Sequence, residues 1–193
     1  MYKEILVDFY KHIGNFNNFE YLLAIIRSQI APTSKNLKLG TMLNLKNGKR
    51  PLKDYYFIYK DFLLQKLDVD FFELSLSQDN VLVYFYNSKR LMRKLKEEKI
   101  QKFLNSLGYE KCRTQKDYLQ KLKERFTRTC PDEIGIFLGY PLKDVIDFKN
   151  KDKKSCKCVG YWKCFNNAEN SKKAFERYDK VKYEEIEKIV SSI

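Results

Sequence analysis

The sequence predicts an α+β fold: a mostly helical single domain, residues 1–193, around a small antiparallel sheet of about three strands. Three observations predict it. Most of the chain repeats apolar residues near the 3.6-residue helical period. A few short runs have the alternation or the β-branched and aromatic content of strands. Those runs do not alternate with helices as they would in a doubly wound sheet.

Residues 2–13 place Ile5, Leu6, Phe9, Tyr10 and Ile13 on one helical stripe, closed by Gly14-Asn15. Asn18 is the expected cap of a second helix carrying Phe19, Leu22, Leu23, Ile26 and Ile30, which should end before Pro32. Residues 35–45 read as a buried irregular segment or a short strand around Gly40. Asn47-Gly48-Lys49-Arg50-Pro51 is a turn, and residues 54–67 form an aromatic-rich helix. Residues 71–76 and 81–86, joined by Gln78-Asp79-Asn80, make a β-hairpin. A helical stripe in two pieces runs from Lys89 to a stop at Gly108, and Thr114 caps a helix to about Phe126. Pro131 and Pro141 suit the starts of two short helices, over 132–138 and on through Phe148. Residues 159–165 read as a third strand, and 167–190 as a long terminal helix.

Hydrophobic residues make up 44% of the chain and aromatics 15%, a composition that builds a core and excludes a disordered chain. No apolar run approaches the ~20 residues of a membrane span, and the N-terminus has no signal-peptide pattern. A cytoplasmic protein with no membrane partner is expected. The five cysteines, Cys112, Cys130, Cys156, Cys158 and Cys164, are an odd set without a secretory signal, so reduced thiols are expected. No metal site is expected either. Cys156-Lys157-Cys158 is too closely spaced for a zinc knuckle, and His12 is the lone histidine. On one straight strand Cys158 and Cys164 would stand roughly 20 Å apart, at ~3.3 Å per residue, beyond disulfide reach.

The net charge of +13 has two readings. A basic surface suits nucleic acid, and Lys89, Arg90, Arg93, Lys94 and Lys96 cluster on one predicted helix, with a second basic run at 149–157. Yet lysine far outnumbers arginine, and the chain is rich in Asn, Ile, Tyr and Phe, which AT-rich codons favour. Phosphate and base recognition favours arginine, so codon composition is the stronger account.

The chain lacks G-x-G-x-x-G, a P-loop, a nucleophile elbow and H-E-x-x-H, so no motif names a reaction or a cofactor. Two segments carry more than their elements need. Residues 130–141 pack two glycines and two prolines into an apolar stretch, which implies a sharp turn or close backbone approach. Their Asp132 and Glu133 are either helix-terminal acids or polar groups at the mouth of a pocket. On a strand over 159–165, Tyr161 and Lys163 share one face and Trp162 and Cys164 the other. One face is either an aromatic-and-cation surface for a planar anionic ligand, or the strand packs Trp162 into the core and lets Lys163 reach solvent. The favoured reading is a small-ligand-binding or accessory protein whose site joins the two segments, with Asp132, Glu133, Tyr140, Tyr161 and Lys163 as its ligand-binding residues. Nucleic-acid binding through the basic surface is the alternative. A second alternative is an enzyme using Cys130 as a thiol activated at a helix start, with Glu133 nearby.

E-I-G-I-F-L-G-Y-P-L-K-D-V at 133–145 and G-Y-W-K at 160–163, before a charged terminal helix, resemble the bacterial family catalogued as domain of unknown function 3793. Ala31-Pro32-Thr33, Leu37-Lys38, Leu43-Asn44-Leu45 and Val81-Leu82-Val83-Tyr84 are similar to its N-terminal pattern, so the resemblance spans nearly the whole chain. The chain differs from that pattern at Asp132, where the family favours His, and at residues 151–154, where it has a glycine. The resemblance implies a single-domain bacterial cytosolic protein and one site shared by the two segments. It carries no activity, cofactor or catalytic residue with it.

Overall fold

Strand β3 (Asn80–Tyr86) is apolar on both faces, and the sheet is built around it. In the computed structural model, which describes residues 2–126, 129–150 and 155–192, β1 (Gly40–Lys46) and β2 (Asp70–Leu76) flank β3 antiparallel, in the order β1-β3-β2. Both edge strands meet Tyr86, through Gly40 and Asp70. A register shift between Glu73 and Ser75 bulges β2. Successive side chains of a strand point to opposite faces. Val81, Val83 and Phe85 therefore enter one core, and Leu82, Tyr84 and Tyr86 the other.

The first core is closed by α2 (Asn18–Ser34) and α3 (Leu52–Lys66), through Leu22, Ile26, Ile30, Tyr56 and Leu63. The second is closed by α4 (Ser88–Leu95), α5 (Glu98–Leu104), α6 (Gln115–Arg125), α7 (Ile134–Leu138) and α8 (Leu142–Lys149). There the Tyr84 hydroxyl donates to the Phe137 carbonyl at 2.6 Å, tying the sheet to α7. A third cluster joins α1 (Tyr2–Ile13) and α9 (Ala168–Ser191) to α2, through Phe9, Ile13, Ala24, Ile186 and Ile189. Nine helices and a three-stranded antiparallel sheet among the described residues make this the mostly helical α+β class read from the sequence. No helix of the described residues is long and apolar enough to cross a membrane.

Several boundaries differ from the sequence reading. Asn17, not Asn18, caps α2, accepting from Glu20 N at 2.9 Å. The helix also runs through Pro32 to Ser34. A proline lacks only its own N–H, so in the last turn it costs one hydrogen bond. Its carbonyl then accepts from both Leu37 N and Lys38 N at 2.9 Å, turning the chain into β1. Residues 159–165 are not a third strand of the sheet; β1 takes that place. They lie in a separate hairpin of two-residue strands, β4 (Cys158–Val159) and β5 (Lys163–Cys164), with Gly160, Tyr161 and Trp162 at its tip. Thr114 caps α6 as expected, in a full capping box with Asp117.

Candidate functional site

The two segments singled out in the sequence meet around one cavity of about 390 Å³. Cys130, Pro131, Asp132, Ile134, Gly135 and Tyr140 line it from one side. Tyr161, Trp162 and Lys163 line it from the hairpin, and Asp144, Val145 and Phe148 from α8. Four of the twelve lining residues are aromatic: Tyr140, Phe148, Tyr161 and Trp162. Tyr140 and Trp162 lie with ring centroids 5.0 Å apart, and Trp162 meets Phe175 of α9 edge-on at 4.5 Å. The Lys163 ammonium sits 5.8 Å from the centroid of Phe148.

The glycines of 130–141 are required by this geometry. A Cβ on Gly135 would stand 2.7 Å from Val145 Cγ2 and 3.1 Å from Tyr140 Cδ2, so α7 approaches α8 only without a side chain there. Gly139 ends α7 at φ +84° against Leu39, a conformation that strains any other residue.

Asp144, absent from the sequence-derived site, holds the hairpin in place. It is a buried carboxylate in the first turn of α8. Its Oδ1 accepts from Phe165 N and Asn166 N, both at 3.0 Å, and from Asn166 Nδ2 at 2.7 Å. Its Oδ2 accepts from Trp162 Nε1 at 3.1 Å. An acid in a first turn reads in sequence as an ordinary helix-dipole partner; no local pattern announces contacts across 22 residues.

Of the five sequence-derived residues, Asp132, Tyr140, Tyr161 and Lys163 line the cavity, and Glu133 does not. Glu133 is turned into the core, where Arg125 grips both its carboxylate oxygens and the Tyr109 hydroxyl donates to Oε1 at 3.2 Å. Glu133 stands at the N-cap of α7 but its side chain makes no capping hydrogen bond; its partners are tertiary. Tyr161 is fixed by donating from Oη to Asp179 Oδ1 at 2.7 Å, which with burial pushes its phenol well above the ordinary range. Burial pushes Tyr140 up to about 12.

Cys130 opens onto the cavity, and the described groups around it raise its thiol pKa rather than activate it. Burial of the sulfur and the nearby Asp132 and Glu133 carboxylates push its thiol pKa up. The helix expected to lower it begins only at Ile134 and has a single turn. The other thiols also depart from the straight-strand geometry. The hairpin sets Cys158 directly opposite Cys164, and the Cys156 thiol points at the Cys158 and Cys164 carbonyls, at 3.1 and 3.6 Å. All five cysteines are free, and no group of three metal-ligating side chains that could hold an ion is found among the described residues.

The basic helix α4 is partly spent on the fold. Arg90 donates to the carbonyls of Asn36 and Lys38, and Lys94 pairs with Glu97 at 2.8 Å. Of the second basic run, residues 151–154 lie outside the described residues.

No curated protein and no solved structure matches the chain. A family model does, over residues 26–193, which include both walls of the cavity and Asp144. The chain therefore belongs to the family described as protein of unknown function DUF3793.

Proposed function

We propose that this protein binds a small planar ligand carrying a negative charge in the cavity between α7, α8 and the β4–β5 hairpin. One observation carries the reading: two segments separated in sequence, each with more glycine and aromatic content than its elements need, enclose one cavity of about 390 Å³. That volume falls in the ~300–1,000 Å³ range of small-molecule sites, which are largely apolar with a few placed polar groups. Tyr140, Trp162 and Phe148 supply faces for a planar ring, and Lys163 supplies the charge at the rim. Asp132 accepts a donor on the ligand, Tyr161 closes the wall, and Glu133 holds α7 without touching the ligand. A bacterial cytoplasm is the compartment that five free thiols suit.

Trp162 is the sole tryptophan, so its fluorescence reports on the cavity alone. Titration with 8-anilinonaphthalene-1-sulfonate, an anion with a flat naphthalene ring, should quench Trp162 saturably with one site per chain. Reversing the rim charge in Lys163→Glu should weaken that binding by roughly tenfold, since losing an exposed ion pair and gaining a repulsion is worth about 1–1.5 kcal/mol. Quenching that does not saturate, or an affinity indifferent to Lys163→Glu, would refute the reading.

A further inference from the structure

Behind the aromatic wall lies a cation that the cavity does not explain. Lys38, in the turn between α2 and β1, is only 6% exposed. Its Nζ lies 5.9 Å from the Tyr140 ring centroid and 5.4 Å from that of Tyr161. No carboxylate lies within ion-pair distance of it among the described residues; the charge it feels is that of Lys182 on α9. The Lys182 Nζ itself lies 5.7 Å from the Tyr161 ring. Arg90 on α4 binds the Lys38 carbonyl at 3.3 Å, and Tyr178 on α9 feels its charge. Asp179 of α9 faces Lys182, but it accepts from the Tyr161 hydroxyl.

Burying an ammonium is costly unless a counter-charge compensates it. Tyrosine faces at 5.4 and 5.9 Å are near the ~6 Å limit of a useful cation–π contact, so they offset only part of the cost. The second lysine adds to it. Burial first, and Lys182 second, lower the Lys38 pKa from its ordinary 10.5 to about 8. Lys38 and Lys182 face one carboxylate among the described residues, that of Asp179, which leaves one net positive charge beside the Tyr161 ring.

We propose that Lys38 and Lys182 form a binding site for a phosphate group beside the Tyr140 and Tyr161 rings. Phosphate near neutral pH carries about 1.5 negative charges, which the uncompensated positive charge here attracts, and lysine binds it as a point charge. Two basic clefts, both walled by Leu37, give it an attractive approach. One holds Lys173, Arg177 and Tyr178; the other holds Arg90, Arg93 and Lys94, the last paired with Glu97 in the same cleft. The proposal stands apart from the ligand cavity, whose lining does not include Lys38.

The test is isothermal titration calorimetry of the full chain with inorganic phosphate, at ionic strength held constant with sodium chloride. At pH 7 wild type should bind phosphate, and at pH 9.5 the affinity should fall at least about tenfold, as a lysine of pKa about 8 loses its proton. Lys38→Met keeps the reach and removes the charge, so it should abolish phosphate binding. Lys38→Arg should bind with a much flatter pH profile, because arginine does not titrate there. Phenyl phosphate binding more tightly than the free ion would identify an esterified phosphate, and equal binding a free one. The sign for stability follows. A lysine pKa lowered in the folded state disfavours folding below about pH 8 and is relieved as pH rises toward 10. Without phosphate, Tm should therefore rise over that window in wild type and by less in Lys38→Met, where only the lowered Lys182 contributes. Above pH 10 the buried tyrosines reverse the trend, since their raised pKa values favour unfolding there. Wild type that ignores phosphate, or Lys38→Met that binds it as well as wild type, would overturn the site. Should Lys38→Met not fold, Lys182→Met, at a half-buried position, must lose the same binding.

Discussion

Asp144→Ala should destabilise the protein by about 3–4 kcal/mol and release the hairpin from α8, because each buried donor left unpaired costs ~1–3 kcal/mol. The side chain accepts four hydrogen bonds, two from backbone N–H groups and one from the Trp162 indole. Phe165 N, just past β5, is buried and donates to Asp144 Oδ1. Water entering the site would satisfy some of these donors, which keeps the cost below the sum. Trp162 emission should shift to the red as the ring leaves Tyr140 and Phe175, and probe binding should disappear. Asp144→Asn separates position from charge. It keeps a carbonyl oxygen for the backbone donors but turns an amide toward Trp162 Nε1, so roughly half the loss is expected. Chemical denaturation followed by Trp162 fluorescence and by far-ultraviolet dichroism measures both effects. An Asp144→Ala protein as stable as wild type, with unshifted emission, would remove Asp144 from its positioning role.

Arg125→Met should cost about 3–5 kcal/mol, the loss typical of removing one partner from a buried ion pair. The Glu133 side chain is 2% exposed, and Arg125 bridges it to solvent from the end of α6. Without the guanidinium, the donor left to the carboxylate among the described residues is the Tyr109 hydroxyl. The double variant Arg125→Met with Glu133→Gln should recover at least half of the loss, since a neutral amide still accepts from Tyr109 and leaves no buried charge. Denaturant midpoints of the four proteins of this cycle give the coupling. If the double variant is no better than Arg125→Met alone, the pair is not what holds α7.

Elements with strong local signals were legible in the sequence. The α2 stripe of Leu22, Ile26 and Ile30 and the apolar run of β3 are both core in the structure. The Thr114 cap also stands where its chemistry requires it. What failed needed tertiary information. Residues 159–165 have strand composition, but the packing of Gly160, Tyr161 and Trp162 against α9 folds them into a hairpin tip. That fold brought Cys158 opposite Cys164, where an extended strand would have separated them. Asp132 and Glu133 are adjacent acids with the same local signature. Only Arg125 and Tyr109, from other elements, decide that one faces the cavity and the other the core. Asp144 and Lys38 carry no motif at all; their importance lies in what surrounds them.

Native mass spectrometry of the protein purified from its own cells tests ligand binding in the cavity most directly. The account predicts a non-covalent adduct of one small molecule per chain, compatible with a cavity of about 390 Å³. The adduct should be weakened or lost in Lys163→Glu, and its release should change Trp162 fluorescence. A bare polypeptide mass for wild type under conditions that preserve the fold, or an adduct equally retained by Lys163→Glu, would contradict it.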